Sequence, residues 1–284
     1  MQMTMLHKVC MVTGATSGMG KATAAALAQM GATVVLVARN RSKGEAVRDE
    51  IRQQSGNTNV EVLYADLSSL QAVRELATTF QQQYQQLHVL INNAGGIFFK
   101  REATADGLET TLVVNHLAPF LLTCLLLDTL KANAPARVIN ISSNVERIGN
   151  INFADLQGKK RYISFLAYSQ AKLAMMLFTY ELARRCEGTG VTVNAVTPGP
   201  VATGFGKGGN SFMNRVLPFF FRFATSAEEG AQTAIYLASS PTVERVTGKA
   251  FYHSKEQSSS RKSYSIALQK RVWQVSQKLT NVAG

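Results

Sequence analysis

An α/β architecture, a doubly wound parallel sheet flanked by helices on both faces, is expected from three features of the chain. Short apolar runs alternate with amphipathic stretches. The first run leads directly into a glycine-rich turn and an alanine-rich helix. The 284 residues suit one large α/β domain with a self-supporting core.

The elements follow in order. Lys8–Val12 reads as a strand, Lys21–Met30 as the alanine-rich helix, and Thr33–Ala38 (TVVLVA) as a second buried strand. A charged helix near Ser42–Ser55, a strand at Val60–Tyr64 and a helix from about Ser69 to Gln86 come next. Then follow a strand at Val89–Ile91, a helix around Gly107–Leu130 and a strand at Arg137–Ile141. Ala167–Cys186 reads as helix and Thr192–Val196 as strand. Uninterrupted apolar strands between amphipathic helices specify strands buried on both faces. Gly and Pro concentrate at Pro198–Asn210, which reads as a mobile loop within a single domain spanning 1–284.

Composition removes several function classes. With 46% hydrophobic and 17% charged residues, disorder and fibrous structure are excluded. Cys10, Cys124 and Cys186 lie far apart, without metal-ligand spacing, so no metal is expected and the thiols are read as reduced. No stretch reaches the roughly 18 unbroken apolar residues of a membrane span. Met1–Leu6 is too short for a signal-peptide core, so the protein is expected to be cytoplasmic. Of the net charge of +12, much sits in Arg245–Gly284, which carries eight Lys/Arg against Glu256 alone. This basic C-terminal extension, about 250–284, lacks interleaved stacking aromatics and any nucleic-acid motif. It reads as a solvated face that leaves peripheral contact with an anionic membrane open.

The turn after the first strand is Thr13-Gly14-Ala15-Thr16-Ser17-Gly18-Met19-Gly20. Glycines let the backbone turn tightly and approach a pyrophosphate. The helix that follows aims unpaired N–H groups and its positive dipole end at the phosphates. In this context the turn predicts a Rossmann-type dinucleotide site. A carboxylate at the end of the second strand would bind a ribose 2′-OH, but Ala38 occupies that place, followed by Arg39 and Asn40. Arg39 suits a 2′-phosphate, so NADP(H) is the expected cofactor; a plain surface arginine is the alternative.

At Tyr168 and Lys172 the chemistry emerges. Four apart on a helix, they are neighbours, and an ammonium beside a phenol lowers its pKa towards the working range. Ser142 and Ser143 both follow the strand at Arg137–Ile141, at the sheet edge where ligands bind in such folds.

These segments together resemble the short-chain dehydrogenase/reductase family. The matching motifs are Thr13–Gly20 (TGATSGMG), Asn92–Gly95 (NNAG), Val114–His116 around Asn115, Ile141–Ser143 (ISS), Tyr168–Lys172 (YSQAK) and Pro198-Gly199. More narrowly, VNHLAPFLLT at Val114–Thr123, Ala167–Arg185 and the tail Arg271–Leu279 resemble the retinol-dehydrogenase-like branch. The resemblance implies that Ser143 is the catalytic serine and Tyr168 the acid/base, and that Asn115 fixes a water relaying protons to Lys172. It also places Asp66 and Leu67 at the adenine, and Asn93, Ala94 and Gly95 near the cofactor ribose. Pro198, Gly199, Val201 and Thr203 would close over the nicotinamide.

The expected activity is therefore interconversion of a hydrophobic aldehyde or ketone with its alcohol. Val201–Thr225, rich in Gly and Phe, is the expected substrate lid (about 200–226); core packing or an oligomer interface would use the same residues. The resemblance to retinol dehydrogenases departs in two places: no hydrophobic anchor is seen at the N-terminus, and Thr197 stands where relatives often carry His before Pro-Gly. A homo-oligomer is compatible with the resemblance. Protochlorophyllide-type photoreduction, a non-catalytic dinucleotide sensor and a polyanion-binding module are the competing readings. His116 is expected to be packing.

Overall fold

The computed structural model describes residues 5–198 and 226–282. The predicted lid and the sites at Gly199, Val201 and Thr203 lie outside these residues.

Eight strands form one sheet in the order β3-β2-β1-β4-β5-β6-β7-β8. They are β1 (Val9–Thr13), β2 (Thr33–Ala38), β3 (Val60–Tyr64), β4 (Val89–Asn92), β5 (Ala136–Ile141), β6 (Val191–Val196), β7 (Lys249–Tyr252) and β8 (Lys255–Gln257). All pair in parallel except the β7–β8 edge, which is antiparallel, so the expected parallel sheet gains a short hairpin at one end. β1 lies between β2 and β4, and connections leave in opposite directions on its two sides. That reversal opens a crevice at the carboxyl ends of β1 and β4.

Helices α1 (Gly18–Gln29), α2 (Arg41–Ser55), α3 (Leu70–Gln83), α4 (Thr110–Ala132), α5 (Ser164–Arg185), α6 (Ala227–Ser239) and α7 (Ile266–Thr280) cover the sheet. Period-2 alternation divides the strands between two cores. Cys10, Val12, Val34 and Leu36 face one side with Leu27 of α1 and Leu237 of α6. Met11, Val35 and Val37 face the other with Phe80 of α3, Phe120 of α4 and Phe178 of α5. Burial on both faces is why these strands read as continuous apolar runs.

Helix α4 is long and apolar enough to cross a membrane by composition, but 78% of its most apolar window is buried inside the molecule. It is also not the uninterrupted α-helix expected. Val113–Leu117 forms a π-helical turn between α-helical ends. Such bulges displace a residue from the regular register, and here the displaced segment carries Asn115.

The cations of the C-terminal extension are exposed, as expected of a solvated face, while its other side packs into the fold. β7 completes the sheet, and α7 packs along α5. Trp273 of α7 is buried with its ring 5.0 Å from Phe120 and 5.9 Å from Phe178, under the guanidinium of Arg185 at 4.1 Å. The single tryptophan was the sequence signal for this buried side.

Candidate active site

The glycine turn is held open by residues some eighty positions away. Thr13 Oγ1 accepts from the amides of Asn93 (2.9 Å) and Ala94 (3.0 Å). Asn93 Nδ2 donates back to the Thr13 carbonyl at 2.8 Å. A Cβ on Gly20 would lie 2.4 Å from both Gly14 O and Asn93 Nδ2, and Gly14 adopts φ +64°. Only glycine fits at either place. Ser17, the residue preceding α1, provides no side-chain cap, so the first N–H groups of that helix remain available to an anion. The open helix end and the sterically obligatory glycines fit a dinucleotide pyrophosphate.

A cleft of about 1200 Å³ runs from this turn across the sheet edge. Gly14, Thr16, Ser17, Gly18, Met19, Gly20, Arg39, Asn40, Asp66, Leu67, Asn93, Ala94, Gly95, Ser143, Tyr168, Lys172 and Pro198 all line it. Some of these side chains do other work. Asn40 caps α2 by accepting from Lys43 N at 2.9 Å, and Asp66 is turned onto Ser68 N at 2.9 Å. Asn93 is chiefly a clamp on the turn. Arg39 is exposed at the rim beside Lys43, a second cation that sequence reasoning passed over. Three further lining residues it missed, Ile97, Phe98 and Phe99, form an apolar stretch beyond the NNAG segment; their place just after Gly95-Gly96 was the available signal.

At the cleft floor Tyr168 and Ser143 are joined by a side-chain hydrogen bond. This separates the two serines. Ser142 Oγ donates to the Lys172 carbonyl at 3.1 Å and is buried in structural work. Lys172 Nζ sits 5.6 Å from the Tyr168 ring centroid and donates to Ile141 O at 2.9 Å. Burial lowers the Lys172 pKa to about 8 and pushes that of Tyr168 well above the phenol range, with the Ser143 bond opposing the rise. The expected lowering of Tyr168 by its lysine is therefore not met in this arrangement: burial raises it, and Ser143 supplies the opposing hydrogen bond.

Asn115 does not lie outside the cleft wall as a free amide. Its Nδ2 donates to Gly96 O and Thr111 O, each at 2.9 Å, and its Oδ1 accepts from Gly96 N at 3.0 Å. A Cβ on Gly95 would meet Asn115 Oδ1 at 2.7 Å and Lys172 Nζ at 3.3 Å. The side chain expected to fix a water is thus committed to holding the Gly95–Gly96 backbone against Lys172. His116, next to it, is packing as expected: it is buried, its pKa falls to about 3, and its Nε2 meets Ser276 Oγ at 2.7 Å.

A nucleotide-binding turn and a Ser/Tyr/Lys cluster within one cleft define a dinucleotide-dependent oxidoreductase. Residues 8–213 match the short chain dehydrogenase family model, and the chain belongs to that family, which binds NAD(P). It is similar to retinol dehydrogenase 12 of Mus musculus, 44% identical over 97% of this chain and 87% of that protein. Retinol dehydrogenase 11 of Homo sapiens is 43% identical over 95% and 84%. Among solved structures, an uncharacterized protein from Mycobacterium Paratuberculosis has a TM-score of 0.81 at 32% identity, covering 99% of this chain and 96% of its own. One from Beutenbergia cavernae, described as an NAD(P) dependent gluconate 5-dehydrogenase with bound NADP, has a TM-score of 0.70 at 27% identity, covering 89% and 97%.

Proposed function

We propose that this chain is an NADP(H)-dependent oxidoreductase interconverting a hydrophobic aldehyde or ketone and its alcohol. The observation that carries the proposal is the Ser143–Tyr168 hydrogen bond with Lys172 beside the Tyr168 ring. When bound, the nicotinamide supplies or accepts hydride. Ser143 holds the substrate oxygen, and Tyr168 delivers its phenolic proton to that oxygen in reduction or withdraws it in oxidation. In reduction, burial keeps Tyr168 protonated until an oxygen that is gaining negative charge is in place. Lys172 then stabilises the phenolate, and Asn115 keeps the Gly95–Gly96 backbone in register beside it.

Arg39 and Lys43, with no carboxylate at Ala38, support NADP(H) over NAD(H) through attraction to a 2′-phosphate. Ile97, Phe98, Phe99 and Val114 on the cleft wall support an apolar substrate, as do the retinol dehydrogenases among the relatives. The test is NADPH oxidation against a panel of hydrophobic aldehydes and ketones, with NADH and Tyr168→Phe in parallel. Turnover that needs NADPH and Tyr168 is expected. Tight NADPH binding with equal turnover in the Tyr168→Phe protein would overturn the assignment.

A further inference from the structure

One surface near the site combines features that a folded core leaves unexplained. Ile163, Phe165 and Leu166 are 40%, 45% and 52% exposed, at the start of the helix that carries Tyr168. Ile163 immediately precedes the helix and Phe165 and Leu166 lie in its first turn, so the three cluster at its N-terminal end. Single exposed apolar residues are ordinary; three large ones within four positions are not. Directly before them stand Lys159, Lys160 and Arg161, all exposed, and none forms an ion pair among the described residues. Asp155, the nearest acid in sequence, directs its carboxylate to the backbone amides of Lys159 and Lys160 instead.

Three cations of the C-terminal extension contrast with these. Lys249 pairs with Glu256 at 2.7 Å, Lys262 donates to Gly149 O at 2.9 Å, and Arg271 lies 3.9 Å over the Phe153 ring. These three are engaged within the fold, whereas among the described residues no salt bridge or side-chain hydrogen bond holds Lys159, Lys160 or Arg161.

We propose that Lys159–Leu166 is a docking surface for an anionic lipid bilayer. Three exposed cations complement acidic headgroups, while Ile163, Phe165 and Leu166 supply the apolar contact that interfacial binding requires. A second copy of the same surface is disfavoured, because it would bring six cations together across a two-fold axis. Tyr162, inside this stretch, donates to Phe98 O at 2.8 Å, and Phe98 lines the cleft. The surface thus adjoins the cleft rim, and an apolar substrate of the class proposed above would enter from the bilayer side; that consequence alone rests on the functional reading.

The experiment is cosedimentation of the full chain with vesicles of phosphatidylcholine alone and of equal parts phosphatidylcholine and phosphatidylserine. Binding to the acidic vesicles is expected, weakened on the order of 100-fold in the Lys159→Ala/Lys160→Ala/Arg161→Ala protein. Thermal unfolding of that variant at the parent temperature shows that it is folded. Independently, a Leu166→Trp protein should show fluorescence quenching by brominated lipid, with Trp273 buried and silent. Equal binding to both vesicle types, no binding to either, parent-like binding by the folded triple variant, or an unquenched Trp at 166 would each overturn the proposal. None of these readouts uses the enzyme's activity, so they stand apart from the assignment of the reaction.

Discussion

Lys172 Nζ donates to the Ile141 carbonyl at 2.9 Å, tying the helix that carries Tyr168 to the end of the strand that carries Ser143. The bond explains how a fully buried lysine keeps a fixed place beside the tyrosine ring. It also makes Lys172 a charge that the fold holds at a cost, because desolvation lowers its pKa to about 8 from 10.5.

That cost has a definite pH dependence. Below pH 8 the amine is charged in both states and the penalty is complete. As pH rises from about 8 to 10.5, the folded protein has released its proton while the unfolded chain still holds one. Stability from this group therefore rises with pH across that window, by about 3 kcal/mol in total. Buried Cys10 and half-buried Cys124, whose pKa values rise to about 12, act in the opposite sense above pH 9. The measurement is accordingly a difference: the stability advantage of Lys172→Met over the parent should shrink as pH climbs from 8 to 10.5. A constant difference would show that the lysine is not desolvated.

The two serines should separate cleanly. Ser143→Ala removes the hydrogen bond to Tyr168 and is expected to lower kcat by about 10²–10³ with an unchanged melting temperature. Ser142→Ala removes the bond to the Lys172 carbonyl, and should cost about 1 kcal/mol of stability while leaving the chemistry nearer to normal. Kinetics and thermal unfolding on both proteins check the contrast.

Cofactor choice should reside at the end of β2. Replacing Arg39 and Lys43 by Ala is expected to raise KM for NADPH by roughly 10- to 100-fold, the worth of charge-assisted hydrogen bonds to a phosphate. KM for NADH should scarcely move. A parallel loss with both cofactors would indicate damage to the turn instead.

Trp273→Ala should destabilise the whole domain. Its ring fills space against Phe120 and Phe178, and large-to-small changes at such places cost about 3–5 kcal/mol. Chemical denaturation of the variant tests this. A loss below about 1 kcal/mol would mean that α7 is dispensable to the core.

The strand positions, the glycine turn and the Tyr168/Lys172 pair were legible along the chain because each depends on neighbours within a few residues. Burial on both sheet faces writes itself into continuous apolar runs, and helical periodicity places residues four apart together. Other features could not be read this way. Thr13 and Asn93 hold each other across some eighty residues of intervening chain. Asn115 owes its backbone-directed hydrogen bonds to a π-helical turn, and its residue types alone do not announce that turn. The choice between Ser142 and Ser143 rests on which hydroxyl meets the Lys172 carbonyl and which the Tyr168 phenol, both on α5. The basic face of the extension is solvated as its composition implies, but the docking of its helix depends on one tryptophan meeting two phenylalanines from distant helices. Local pattern thus specified the elements and the Tyr168/Lys172 pair. The partners of Thr13, Asn115, Ser143 and Trp273 were settled by packing, since hydrogen bonds and ring contacts between distant segments form only once the sheet has brought those segments together.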